Sequence, residues 1–367
     1  MAQRTHIRPA VRRIILAAAG FILLCAALLL AEGVVRVALP YRNPLRIFVK
    51  PIVMEDMQRS MAPVVEFDAE LSYRLRPGTR GGRLASTVFN TNRDGVRRDS
   101  ELGSKPTGGI RVLCVGDSCT FGFGVPFSAD KSAQPDLSKK PYAMQLEDLL
   151  RTSFPGRSVE VINVGVPGYS SSQGVTSIER NLPKYDADIV TAMFFNNDIV
   201  DPGSSGRAAK PTGLQISLRQ LAAQSQFVTH LIEWSNRRNG RPKLEGFGSA
   251  NTPLEDYITN FDLMRTACGK HGAEFIVINP FFQHLPENDP WLPAHRVTEF
   301  REALKAYVHA ANIPLLDIPE LTESSFPANQ PLFIERVHPN HDGHTMVAKR
   351  LHDLIRPMVE KRLAGRR

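Results

Sequence analysis

Apolar residues are spaced in three different ways along this chain, and each spacing predicts a different kind of structure. The first stretch is unbroken. Residues 14–31, IILAAAGFILLCAALLLA, hold no charged side chain. As a helix rising about 1.5 Å per residue they span roughly 27 Å, close to the hydrocarbon core of a bilayer. The second stretch, residues 33–105, is choppy. LSYRLRPGTRGG and STVFNTNRDGVRRD alternate briefly between apolar and polar and are broken by turn residues, Asp94-Gly95 among them. This predicts a few short strands or a small hairpin in a juxtamembrane region outside the main core.

From residue 106 the pattern becomes regular. Mainly apolar runs at 110–116, 158–165, 188–195, 273–280 and 313–318 read as strands. Between them lie YAMQLEDLLRTSF, SQGVTSIERNL, LEDYITNFDLMRTACGKH and VTEFREALKAYVHA, with DGHTMVAKRLHDLIRPMVEKRL after the last strand. These segments carry apolar residues near i, i+3, i+4 and i+7, the spacing of amphipathic helices. Uninterrupted β-branched runs alternating with helices imply a parallel sheet covered on both faces. Residues 199–253 interrupt the alternation as an insertion, with a Gly/Ser/Lys-rich loop, one helix near 218–237 and a polar loop. The organisation predicted is residues 1–13 cytoplasmic, 14–32 transmembrane, 33–105 juxtamembrane and 106–365 the main α/β domain.

Charge adds orientation. Of 367 residues, 45 are basic and 37 acidic, a formal net charge of +8. No basic stripe is interleaved with aromatics, so nucleic acid is not an expected partner. Arg4, Arg8, Arg12 and Arg13 precede the apolar run with no acid among them. The positive-inside rule then keeps the N-terminus in the cytoplasm and sends the rest across. A cleaved signal peptide is the rival reading, although LLLAEG is a poor cleavage site. The four cysteines, Cys25, Cys114, Cys119 and Cys268, have no paired metal or redox spacing. Cys114 falls mid-strand and Cys268 mid-helix, where free buried thiols are expected.

Ligands of open parallel sheets bind beyond the carboxyl ends of the strands. The first strand ends at Gly116-Asp117-Ser118. The second ends in NVGVPGYSS, with Gly165 and Gly168. The third ends in FFNND, with Asn197 and Asp198. A loop after the fifth carries IERVHPNHDGH, with Glu335 and His338. A serine hydroxyl needs an imidazole to take its proton before it acts as a nucleophile. A carboxylate can hold that imidazole in the right tautomer. The N–H of Ser118, the N–H of Gly168 and the amide of Asn197 are candidate donors to a developing oxyanion. Singly, each group has a plain structural reading. Gly-Asp-Ser suits a strand-to-helix turn with a cap, Asn197-Asp198 suits a turn, and Asn340 or Asp342 suits the cap of the last helix. His338, His341 and His344 also have a spacing compatible with a metal. Jointly, in order and each after its own strand, the set points to nucleophilic ester chemistry.

These blocks resemble those of the SGNH hydrolases, the GDSL esterase/lipase superfamily. Gly116-Asp117-Ser118 is similar to its nucleophile turn, and Asn163 to Gly168 to its Asn-x-x-x-x-Gly block. Residues 195–198 are similar to its Gly-x-Asn-Asp, and residues 335–338 to its Asp-x-x-His. The resemblance covers about residues 106–365. It implies a flavodoxin-like three-layer α/β/α fold with a five-stranded parallel sheet, and it implies no metal or organic cofactor. Ser118 would be the nucleophile, His338 the base and Glu335 the acid, with Ser118, Gly168 and Asn197 forming the oxyanion hole. Phe195 replaces the family's glycine, which either crowds the floor of the site or reflects denser packing. Glu335 replaces its aspartate. With the anchor, the chain looks like a bacterial inner-membrane branch whose substrate would be an acyl or acetyl ester, such as that of a cell-surface polysaccharide. An O-acyltransferase would use the same residues. A catalytically silent envelope scaffold is the alternative of another class.

Overall fold

The computed structural model describes residues 9–43, 61–85, 87–126, 136, 138–200, 208, 211–238, 252–280, 294–318, 332–334 and 337–365. In chain order the elements begin with α1 (Pro9–Ala38), β1 (Val65–Asp68), β2 (Ser72–Leu75), β3 (Gly82–Leu84), β4 (Thr87–Phe89), β5 (Ile110–Gly116) and α2 (Ser118–Phe121). They continue with α3 (Tyr142–Ser153), β6 (Val159–Asn163), α4 (Ser171–Tyr185), β7 (Ile189–Met193), α5 (Asn196–Val200), α6 (Gly213–Gln224) and α7 (Gln226–Arg238). The last are α8 (Leu254–Lys270), β8 (Glu274–Asn279), α9 (Ala294–Ala310), β9 (Leu315–Asp317) and α10 (His341–Ala364). They form two compact units, Met1–Val49 with Thr212–Arg241, and Lys50–Pro211 with Pro242–Arg367.

The larger unit is built on a five-stranded parallel sheet in the order β6-β5-β7-β8-β9. All seven residues of β5 are buried, because both faces of a central parallel strand are covered. Val112 and Cys114 face the layer of α3 and α10, where Leu146, Leu150, Val347, Leu351 and Ile355 complete the core. On the other face α4 packs on α8 and α8 on α9. Tyr257 joins those last two helices, its ring 5.0 Å from that of Phe300. This is the three-layer α/β/α architecture expected, with β5 at its predicted bounds and the other four strands one or two residues inside theirs at each end. The short strands lie in two antiparallel hairpins, β1-β2 and β3-β4. They pack onto the unit that holds the sheet rather than standing outside it. Tyr73 donates to the Pro167 carbonyl at 2.7 Å, and Tyr169 donates back to Tyr73.

In the smaller unit, α1 carries the apolar run. Residues 10–38 have a mean hydropathy of 2.9 in their most apolar window, and none of that window is buried. It is the one helix among the described residues long and apolar enough to cross a membrane. Between residues 211 and 238, a described part of the insertion, lie two helices, where a single one near 218–237 was predicted. Ser225 leaves helical geometry at φ −93°, ψ 117°, and its hydroxyl accepts from the Val228 amide at 3.0 Å. A serine that ends one helix and caps the next leaves the apolar spacing on either side intact. All four cysteines are free, and burial pushes the thiols of Cys114 and Cys268 up to about 12.

Candidate active site

The end of β5 dictates the first part of the site. Gly116 turns the chain where a side chain has no room. A Cβ there would lie 2.6 Å from the Met193 carbonyl and collide with Thr120. Asp117 then caps α2, its carboxylate accepting from the Cys119 amide at 2.8 Å. Burial pushes this carboxyl up to about 6. Ser118 opens the helix, buried except for its edge, and its carbonyl accepts from the amides of Gly122 and Phe123.

The second part arrives from the loop before α10. Ile334 donates to the His338 carbonyl and Asn340 to the Leu332 carbonyl, both at 2.9 Å. With the bridge between Phe333 and Pro339, they pin residues 332–334 against residues 338–340. Asn340 accepts from Gly343 and caps α10. The Cys119 thiol donates to the Val337 carbonyl at 3.4 Å, tying this loop to α2. The result is direct contact between His338 Nε2 and Ser118 Oγ at 2.7 Å. The Phe123 ring lies against the imidazole, centroids 4.6 Å apart. Glu335 lies outside the described residues.

The third part is the turn after β6. Val166 donates to the Gly116 carbonyl, and Asn163 Nδ2 donates to the Thr120 carbonyl at 2.8 Å. Gly168 has φ +84°, and a Cβ there would lie 2.5 Å from the Tyr73 hydroxyl. Conformation and space both call for glycine. The Asn197 amide, at the start of α5, donates to the Tyr169 carbonyl at 2.8 Å. One of its two donor hydrogens thus holds this turn, and the other is not committed by that bond. Asp198 serves the framework. It accepts from the Ser171 amide and hydroxyl and from the Thr252 hydroxyl, and burial pushes its carboxyl up to about 7. Phe195 packs edge-on to Tyr257 and Phe300. Its ring is therefore part of the helical layer, the denser-packing alternative.

The spaced histidines go different ways. His344 is fully buried; its Nδ1 accepts from the Tyr142 amide at 3.2 Å and its ring stacks on Tyr142. Burial pushes it down to about 3. Among the described residues no cluster of three metal-ligating side chains occurs.

A buried hydroxyl against an imidazole, at the carboxyl end of the inner strand β5, can perform acyl transfer. Comparison gives the same chemistry a family. The model of the GDSL-like lipase/acylhydrolase family matches residues 114–346. The chain belongs to the GDSL-like lipase/acylhydrolase family. It is an ester hydrolase of the SGNH type. No curated protein sequence matches it. Similar solved structures include an acetylxylan esterase from Geobacillus stearothermophilus, at 18% identity and TM-score 0.44, covering 68% of this chain and 96% of that one. A lipase/acylhydrolase from Enterococcus faecalis has 16% identity and TM-score 0.45, covering 68% and 96%. An alpha/beta hydrolase enzyme from the metagenome of Lake Arreo, Spain, has 17% identity and TM-score 0.43, covering 69% and 97%.

One contributor to the GDSL site was not predicted from the sequence. Arg97 is fully buried under the loop after α2, donating to the carbonyls of Phe121, Gly122 and Val125. Its guanidinium lies 4.4 Å from the Phe121 ring centroid, and burial pushes it down to about 9. Thr87 accepts from the Gly124 amide in the same loop. The signal was the Asn-Arg-Asp-Gly-Val-Arg turn at residues 92–97, whose Asn92 side chain accepts from Asp94 and Val96 and aims Arg97 inward.

Proposed function

We propose that the chain is a membrane-anchored, extracytoplasmic serine esterase that removes an acyl or acetyl group from a cell-envelope glycan. The observation that carries the catalytic part is the 2.7 Å contact of His338 Nε2 with Ser118 Oγ. In this reading Ser118 Oγ attacks the acyl carbonyl carbon and His338 Nε2 takes its proton. The tetrahedral oxyanion is held by the N–H groups of Ser118 and Gly168 and by the second N–H of Asn197. His338 returns the proton to the departing alcohol, leaving an acyl-serine. Water then attacks the acyl-serine, with His338 as base, and frees the acid. Glu335 holds the far nitrogen of His338 and stabilises its cation. The arginine-flanked apolar helix supports the anchor and its orientation, and an exit on the outer side supports an envelope ester as substrate.

Fluorophosphonate labelling, followed by a panel of esters of increasing acyl length, tests the reading. Ser118→Ala abolishes labelling and lowers turnover by several orders of magnitude, while the unfolding transition stays in place. Near-native turnover by that variant would reduce Ser118 to a helix residue.

A further inference from the structure

The smaller unit places an exposed apolar surface beside α1. Its hairpin, α6 and α7, is fixed at the end of the apolar run. Glu32, the first charge after that run, accepts from the amides of Gln226 and Phe227 at 2.9 Å and from the Ser225 hydroxyl at 2.8 Å. It thereby caps α7 from another helix. Arg36 bonds both Glu32 and the Gln224 carbonyl. Further on, His230 meets the Pro40 carbonyl at 3.1 Å, and Arg42 lies 3.5 Å from Glu233. Residues 32–42 and the hairpin therefore run side by side.

Their outward surface is unusual for a water-facing one. No residue of α6 is buried, and Leu214, Leu218 and Leu221 form an exposed stripe at i, i+4 and i+7. On α7, Leu231 and Trp234 are exposed, and Arg238 lies 5.3 Å from the Trp234 ring centroid. The exposed apolar surface of α1 continues past Glu32 through Val34 and Val37, and Leu39 and Tyr41 follow just beyond the helix. Length explains where this surface sits. A hydrocarbon core of roughly 30 Å takes about 20 helical residues, which from residue 14 ends near Gly33. The rest of α1, with the hairpin beside it, falls in the interfacial layer. Tyrosine and tryptophan favour that layer, and long basic side chains reach outward from it.

We propose that α6 and α7 form a membrane-seated collar, with the lipid of the outer interface as the partner that covers Leu214, Leu218, Leu221, Leu231 and Trp234. This rests on the anchor reading above. The charged groups that a bare helix would strand near lipid, Glu32 and Arg36, are satisfied by the collar's own backbone. The collar's leucines then extend the apolar girth of a single span.

Full-length protein carrying Trp291→Phe, reconstituted in phosphatidylcholine–phosphatidylglycerol vesicles, tests this. Trp234 is then the sole indole, and ester turnover reports that the variant is folded. Lipids brominated near the glycerol end quench Trp234 by roughly twofold or more, as for an aromatic in the interface, while aqueous iodide barely does. Leu218→Cys carrying a polarity-sensitive fluorophore, with Trp291 in place, gives a blue-shifted emission in the same vesicles. Flotation with full iodide quenching and no lipid quenching overturns the collar and leaves the anchor standing. Shielding from both quenchers, with cross-linking between copies, overturns lipid as the partner in favour of a second chain. Wild-type protein that fails to float with the vesicles overturns both readings.

Discussion

At the scale of single residues, burial sets the chemistry of the site's surroundings. His344 shows it most clearly. The unfolded imidazole takes a proton below its ordinary pKa of 6.5, and the folded one only near 3. Between those values the unfolded chain binds the extra proton. The stability owed to neutral His344 is full above about pH 6.5 and is lost as pH falls, by up to about 1.4 kcal/mol per pH unit. His344→Gln keeps an acceptor for the Tyr142 amide but cannot titrate. Denaturant midpoints against pH should show wild type losing ground to this variant from pH 6.5 downward; parallel curves would refute the assignment. Asn197 tests the site itself. Removing an oxyanion donor lowers kcat by roughly a hundred- to a thousandfold, with KM little changed because the donor acts in the transition state. Asn197→Ala steady-state kinetics check this. A raised KM at unchanged kcat would make Asn197 a substrate-binding residue, and an unfolding curve separates either result from loss of its bond to Tyr169.

At the scale of elements, the sheet was legible because its strands are buried on both faces, so β5 and β7 read as runs that are apolar except for Arg111 and Thr191. The meeting of Ser118 and His338 was legible because each follows its own strand on the same edge of the sheet. The hairpins β1-β2 and β3-β4 were seen only as texture, since strands of three or four residues are too short to establish a period. The break at Ser225 was hidden because apolar spacing runs through it. Arg97 was hidden for another reason: its guanidinium donates to backbone carbonyls, and a carbonyl leaves no mark in the sequence. Its role carries a prediction at this scale. The loop after α2 places Gly124 and Phe123 against Ile334 and His338, so Arg97 supports the two halves of the site from beneath. Arg97→Met leaves three carbonyls without their donor and should cost about 2–4 kcal/mol in urea unfolding. It should also slow fluorophosphonate labelling of Ser118 under conditions where the protein stays folded. Labelling at the wild-type rate would limit Arg97 to stability.

At the scale of the whole molecule, the two fates of the N-terminal helix make opposite demands on the smaller unit. If a signal peptidase cut near residue 31, the chain would lose the apolar run, and Glu32 would become its terminus or be lost. The carboxylate that caps α7 would then lose the helix that holds it in place, leaving the amides of Gln226 and Phe227 and the hydroxyl of Ser225 to water. If the helix stays, every member of that network keeps its partner. Retention of the helix is therefore the state in which α6 and α7 have a support, and in the proposed reading the four arginines before residue 14 orient it with the N-terminus inside. Intact-mass measurement of protein extracted from membranes should find residues 1–31 still attached. A reporter active only outside the cytoplasm, fused after Arg367, should be active. A mature chain lacking the apolar run would overturn retention, and activity confined to a cytoplasm-dependent reporter would reverse the orientation and rule out an outward-facing ester as the substrate.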